Sequence, residues 1–259
     1  MNLVRMAVVN RMVLLAGLLL AGASPVDAQR RGGGNRNQSF APNVPYDGRF
    51  AYVRVKYDLP MDGFRMDVKW AHDYPRGERH FSQIMSELST IRTWTTGSVI
   101  LTLDDPLLTR YPVLFLAEAG FWRPSDAEVV GLRNYLTKGG FIIFDDFAGE
   151  HWMNFEEQLR RVFPKLRPIQ LTLSHPVFDA FYKIESLDYC HPYYGCAFKS
   201  QFFGLFEDND PKKRLMAVAN YNNDLSEYWE FSGEGMFPME ASNQAYKIGV
   251  NYIIYSLTR

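Results

Sequence analysis

Only two cysteines, Cys190 and Cys196, occur in 259 residues, so a small fold framed by disulfides is excluded. Neither charge is in excess: 28 Lys and Arg against 29 Asp and Glu leave a net charge of −1. Nothing here draws the chain to a polyanion, which argues against a nucleic-acid partner. Beyond the first 21 residues no apolar run is long enough to span a bilayer, so no transmembrane helix is expected after the leader. The Gly-x-Ser-x-Gly and Gly-x-Cys-x-Gly elbows, a phosphate-cradling glycine loop with lysine, and His-Glu-x-x-His are all missing. The one triple glycine, Gly32 to Gly34, follows no strand and reads as a flexible tail. What is present is 47% hydrophobic residues, enough to bury a full core.

Arg5 and Arg11 precede an apolar run from Met12 to Ala21, and Val26 and Ala28 supply small residues where signal peptidase cuts. The expectation is a signal peptide over residues 1–28 and an exported, periplasmic protein; a retained anchor is the alternative. Residues 29–48 read as a linker, and 49–259 as a single domain. Cys190 and Cys196 enclose the aromatic loop CHPYYGC. An oxidising compartment would pair them; a metal pair with His191 is the other reading, although the spacing exceeds that usual for zinc thiolates.

Short, nearly continuous apolar runs at 99–101, 113–117 and 141–144 have the pattern of strands buried on both faces of a parallel sheet. Between the last two, Ser125-Asp-Ala-Glu128 is a capping box that opens a helix with Val129, Leu132 and Leu136 inward. Gly139 closes that helix, being free to adopt the left-handed conformation. Phe81, Ile84, Met85 and Leu88 fall on one face of another helix, a third is expected over about 154–163, and Ala245, Ile248, Gly249, Tyr252 and Ile253 lie on a last one. This rhythm predicts an α/β fold, a mostly parallel sheet flanked by helices. The Tyr-, Phe- and Asn-rich stretch 181–231 reads as a β or irregular elaboration at the sheet edge.

In such a sheet ligands bind beyond the carboxyl ends of the strands. Asp145 and Asp146 follow one strand and Glu118 another, so these carboxylates are predicted to converge, with Asp73 and His151 as neighbours. Together they could hold a hard divalent cation or act as acid and base. The bland alternative is one aspartate capping a helix or pairing with an arginine while the other is solvated.

Six segments carry a resemblance: HDYPRGERHF at 72–81, YPVLFLAEAGFW at 111–122, YLTKGGFIIFDDF at 135–147, SHPVF at 174–178, NYNNDLSEYWEF at 220–231 and the closing YKIGVNYIIYSLTR. As a set they resemble the bacterial domain-of-unknown-function family 4159, whose fold looks like that of class I glutamine amidotransferases. The resemblance marks Asp73, Tyr74 and Pro75, the glycine turn Gly139-Gly140, and His175-Pro176 as family positions. It also implies that the thiol of true amidotransferases is lost, since Asp145 stands after the strand where a cysteine elbow would be. No cofactor is expected, though a divalent cation fits the carboxylates. Two functions follow: a non-catalytic module binding a small ligand or an envelope protein, or a carboxylate- or metal-dependent hydrolase with its site at the carboxyl end of the sheet.

Overall fold

The computed structural model describes residues 39–58 and 67–259; the leader expectation falls on residues outside these. Residues 39–48, expected as linker, are tied to the domain, because Phe40 and Val44 are apolar anchors. The Phe40 ring lies 4.7 Å from that of Trp70, and Val44 N donates to Ser98 O.

Strands β2 (Val99–Leu101), β1 (Val53–Val55), β3 (Val113–Leu116), β4 (Phe141–Phe147) and β9 (Leu215–Tyr221) lie side by side in that order, all parallel. Beyond β9, β8 (Gln201–Phe206) and β5 (Ile169–Gln170) extend the sheet antiparallel. The predicted α/β class is therefore observed. Of the aromatic-rich stretch, β8 extends the sheet toward its edge, whereas β9 sits inside it beside β4. A separate hairpin, β6 (Cys190–His191) and β7 (Gly195–Lys199), completes the strands among the described residues.

Alternation along the strands divides the core into two layers. Val53, Val55, Leu114, Leu116, Ile142 and Phe144 face helices α2 (Asp126–Thr137) and α3 (His151–Val162) through Leu132, Leu136, Phe155 and Leu159. Val113, Phe115, Phe141, Ile143 and Val218 face α1 (Arg76–Leu88), α4 (Leu225–Glu230) and α5 (Met239–Thr258) through Phe81, Met85, Trp229 and Ile248. The capping box forms as expected, with Glu128 N donating to Ser125 Oγ and Ser125 N to Glu128 Oε2. Gly139, at φ 108°, ends that helix. The first helix begins at Arg76, five residues before its apolar stripe. None of the described helices is long and apolar enough to cross a membrane.

From β1 the chain goes to one side for β2 and returns to the other for β3, so the connection direction reverses between β1 and β3. The carboxyl ends of these two strands therefore mark the switch point where a ligand usually binds in this architecture.

Candidate functional site

Three chain segments reach this end of the sheet with a carboxylate in the left-handed region: Asp73 (φ 63°) between β1 and α1, Glu118 (φ 51°) after β3, and Asp146 (φ 57°) in β4. Non-glycine residues take this conformation sparingly, and such strain gathers at functional sites. Glu118 turns the chain into a 3-10 turn, Ala119–Phe121, that packs on α3. Asn154 Nδ2 there donates to the carbonyls of Gly120 and Trp122, both at 2.9 Å. Gly120 is required, because a Cβ would stand 2.3 Å from that of His151. In β4 the register against β9 slips between Phe144 and Phe147. Strict alternation would send Asp145 and Asp146 to opposite faces; the ladder is interrupted here, with Asp146 in the left-handed region, and both are buried at one strand end.

Asp145 is the anchored member. Its Oδ1 accepts from Asn220 Nδ2 at 2.9 Å, and its Oδ2 from the amides of Leu225 at 2.9 Å and Ser226 at 3.1 Å, which open α4. Asn220 in turn accepts from Tyr252 Oη at 2.7 Å. Burial, opposed by the Asn220 bond and reinforced by the Asp146 charge, pushes the Asp145 carboxyl up to about 7.

Asp146 belongs to two groups at once. On one side His72 Nδ1 lies 3.0 Å from Glu118 Oε1 and 3.5 Å from Asp146 Oδ2, while Nε2 lies 2.7 Å from Asp67. Lys69 Nζ joins them, 2.9 Å from Glu118 and 2.8 Å from Asp67. Burial would push the His72 imidazole down, but hydrogen bonds to Asp146, Asp67 and Glu118 outweigh it and raise it well above its ordinary value. This half of the site carries its own cations.

Among the described residues the other half is poorer in cations, His72 reaching it only through Asp146. Ligating atoms of Asp73, Asp146 and Asp224 all lie within 4.8 Å of one another, as do those of Asp73, Glu227 and Glu230. Ser226 Oγ stands 2.5 Å from Asp73 Oδ2 and 3.2 Å from Asp224 Oδ1. Arg76 reaches Glu230 only at 4.0 Å. Like charges this close in a dry place cannot all stay ionised unless a cation joins them. Burial first, then neighbouring carboxylates, raises Asp73 and Asp224 and carries Glu227 to about 10 and Glu230 to about 8.

Beneath Asp73 lies Arg54, at the centre of β1 and wholly buried. Its Nε donates to Glu78 Oε1 at 2.6 Å and its Nη1 to Trp70 O at 2.9 Å, fixing the turn that carries Lys69, His72 and Asp73. Its Nη2 has no hydrogen-bond partner among the described residues.

With this geometry in view, the profile of the family described as Domain of unknown function (DUF4159) matches residues 49–257, nearly all of the described domain. The chain belongs to the DUF4159 family. No curated protein matches it.

In this DUF4159 domain the predicted residues Asp73, Glu118, Asp145 and Asp146 come together. His151 stands beside them at the start of α3, its ring 4.7 Å from Phe121 and its Nδ1 unpartnered among the described residues. Two predicted residues are placed elsewhere. Tyr74, next to Asp73 in sequence, turns its hydroxyl to Ala41 N at 2.9 Å and its ring to Phe40. His175 packs on Phe206 and Tyr255, and Phe206 pairs with Leu215 at the start of β9, the opposite end of the parallel strands. It caps a 3-10 turn, accepting from Val177 N. Residues not singled out as ligands, Lys69, His72, Asp224, Glu227 and Glu230, complete the cluster. Cys190 and Cys196 are disulfide-bonded, Cα atoms 4.5 Å apart, so neither sulfur is a free thiol.

Proposed function

We propose that this domain binds a hard divalent cation, of the Mg²⁺ or Ca²⁺ kind, and serves as a cation-dependent ligand-binding module of the cell envelope. The observation that carries the reading is the Asp73, Asp146 and Asp224 group, an all-oxygen set within 4.8 Å. No base lies within hydrogen-bonding distance of the Asp224 carboxylate among the described residues, in contrast to Glu118, which meets Lys69 and His72. Hard cations take carboxylate oxygens and Mg²⁺ keeps several waters, so three carboxylates suffice. Export is supported by the leader pattern and by the disulfide, which persists in oxidising compartments. The ligand carried by the cation would be a small molecule or an exposed group of an envelope protein.

Calorimetric titration of metal-stripped protein with Ca²⁺ and with Mg²⁺ tests this. Binding with a dissociation constant at or below about 10⁻³ M, the weak end for extracellular calcium modules, is expected. Asp146→Asn should weaken it at least about tenfold, since a ligand carboxylate becomes a neutral amide. Absence of binding heat and of any thermal shift with either ion would overturn the reading.

A hydrolase reading has one observation in its favour: Asp145 at about 7 and Glu230 at about 8, both raised chiefly by burial, would be proton donors near neutrality beside a cation. Cation-dependent cleavage of a chromogenic ester or phosphoester that Glu230→Gln abolishes without loss of cation binding would favour it.

A further inference from the structure

The hairpin β6–β7 lies across the same strand ends. Tyr228 Oη, on α4, donates to Cys190 O at 2.9 Å, and Asn222 Nδ2, just after β9, donates to Lys199 O at 3.0 Å. The Phe198 ring covers Gly149, three residues beyond Asp146, coming 3.6 Å from where a Cβ would stand there. On the inner side His191 is buried, and its Nδ1 accepts from the amides of Tyr193 at 3.1 Å and Tyr194 at 3.3 Å. That acceptor role places the ring proton on Nε2 and makes the imidazole neutral. Burial holds His191 down at about 4 against the opposing charge of Asp146. The outer side is open: Cys196, Ala197, Phe198 and Lys199 are exposed.

Besides the disulfide, the ribbon is held by the Tyr228 and Asn222 bonds at its ends and by the amides on His191 Nδ1 within its loop, while its own ladder is short. Its ladder pairs Cys190 with Lys199 and His191 with Gly195, with a slip between them. A two-stranded ribbon so short is at best marginal alone. An exposed disulfide closing it is of the kind that exchanges with external thiols.

We infer that Cys190–Cys196 is a redox latch: oxidised, it holds the hairpin with His191 inward on the Asp146 side of the strand ends, and reduced, it lets the hairpin lift and opens the carboxylates to solvent. This rests on the cation-site reading for its functional meaning. The reductant is a dithiol. One of its thiolates attacks Cys196 Sγ, the S–S bond breaks, and Cys190 leaves as a thiolate that takes a proton. The second thiol of the reductant then displaces Cys196 from the mixed disulfide, so two electrons and two protons pass to the protein and the reductant becomes a disulfide.

The test compares the oxidised chain, the dithiol-reduced and alkylated chain, and Cys190→Ala with Cys196→Ala, reading ring resonances of His191 and Ca²⁺ affinity. In the oxidised form His191 should titrate near 4, and in the two opened forms it should move toward its ordinary value of 6.5. Ca²⁺ should be held at least about tenfold more weakly, and by no more than the few tens-fold that the lost loop constraint is worth. Tyr228→Phe, which keeps the disulfide and removes one docking bond, should move both readouts the same way by less and covers the case in which reduction unfolds the chain. His191 still titrating near 4 in the opened forms would overturn the latch, and equal Ca²⁺ binding in all forms would leave the cation reading standing without it. A shifted His191 with no Ca²⁺ binding in any form would sink the cation reading and keep the latch.

Discussion

Arg54 and Glu78 allow a sharp test of how the site is built. Both are buried, with Arg54 at 0% exposure and Glu78 at 2%, and the guanidinium also holds the Trp70 carbonyl. Truncating one partner leaves a bare charge in a layer lined by Tyr52, Phe115 and Phe81, which costs about 3–5 kcal/mol. Arg54→Met also frees the Trp70 carbonyl, for about 1 kcal/mol more. Replacing both with methionine removes the stranded charge and leaves only the carbonyl and packing terms, about 1–2 kcal/mol. Urea unfolding of the wild type, both single variants and the double variant should thus give a coupling energy of about 3 kcal/mol or more. Additive losses, with the double variant as unstable as the sum of the singles, would refute the claim that the pair is one electrostatic unit. The double variant should also bind Ca²⁺ more weakly although it folds, because the turn bearing His72 and Asp73 has lost its tether to β1.

The metal-free domain should be more stable near pH 5 than near pH 8, checked by thermal unfolding. Asp145, Glu227, Glu230 and His72 all have folded-state values above their ordinary ones, so the folded state binds the extra protons and stability falls as pH rises through that window. Ca²⁺ should flatten or reverse this slope. Asn220→Leu should cost about 2–3 kcal/mol in chemical denaturation, since it strips Asp145 of a donor and Tyr252 of its acceptor in the core. Ser125→Ala should cost about 1 kcal/mol by removing the cap of α2, with no change in cation affinity.

What could be read from the chain was whatever its neighbours in sequence decide. The apolar runs of β3 and β4, the capping box at Ser125 and the glycine at 139 are local devices, and each appears in place. Topology extended that reading to Glu118, Asp145 and Asp146, because parallel strands deliver their ends to one side. Asp224, Glu227 and Glu230 escaped notice: acids three apart on a short helix look like a solvated face, and only packing of α4 against α1 and α5 buries them. Arg54 escaped for a similar reason, since Val-Arg-Val has the look of a half-exposed strand until α1 covers it with Glu78. His175 misled in the other direction. A histidine before proline in a loop gives no sign of which end of the sheet the loop serves.

Two of the left-handed carboxylates bear on how this domain would respond to selection. On backbone grounds Asp73 and Asp146 occupy positions where asparagine or glycine is at ease, and on electrostatic grounds a neutral residue there would end a mutual repulsion. A library screened only for heat resistance should therefore accumulate Asp→Asn and Asp→Gly changes at these positions, disarming the cluster as it hardens the scaffold. Mapping where thermostability is gained most cheaply would thus trace the working part of the molecule without knowledge of its ligand.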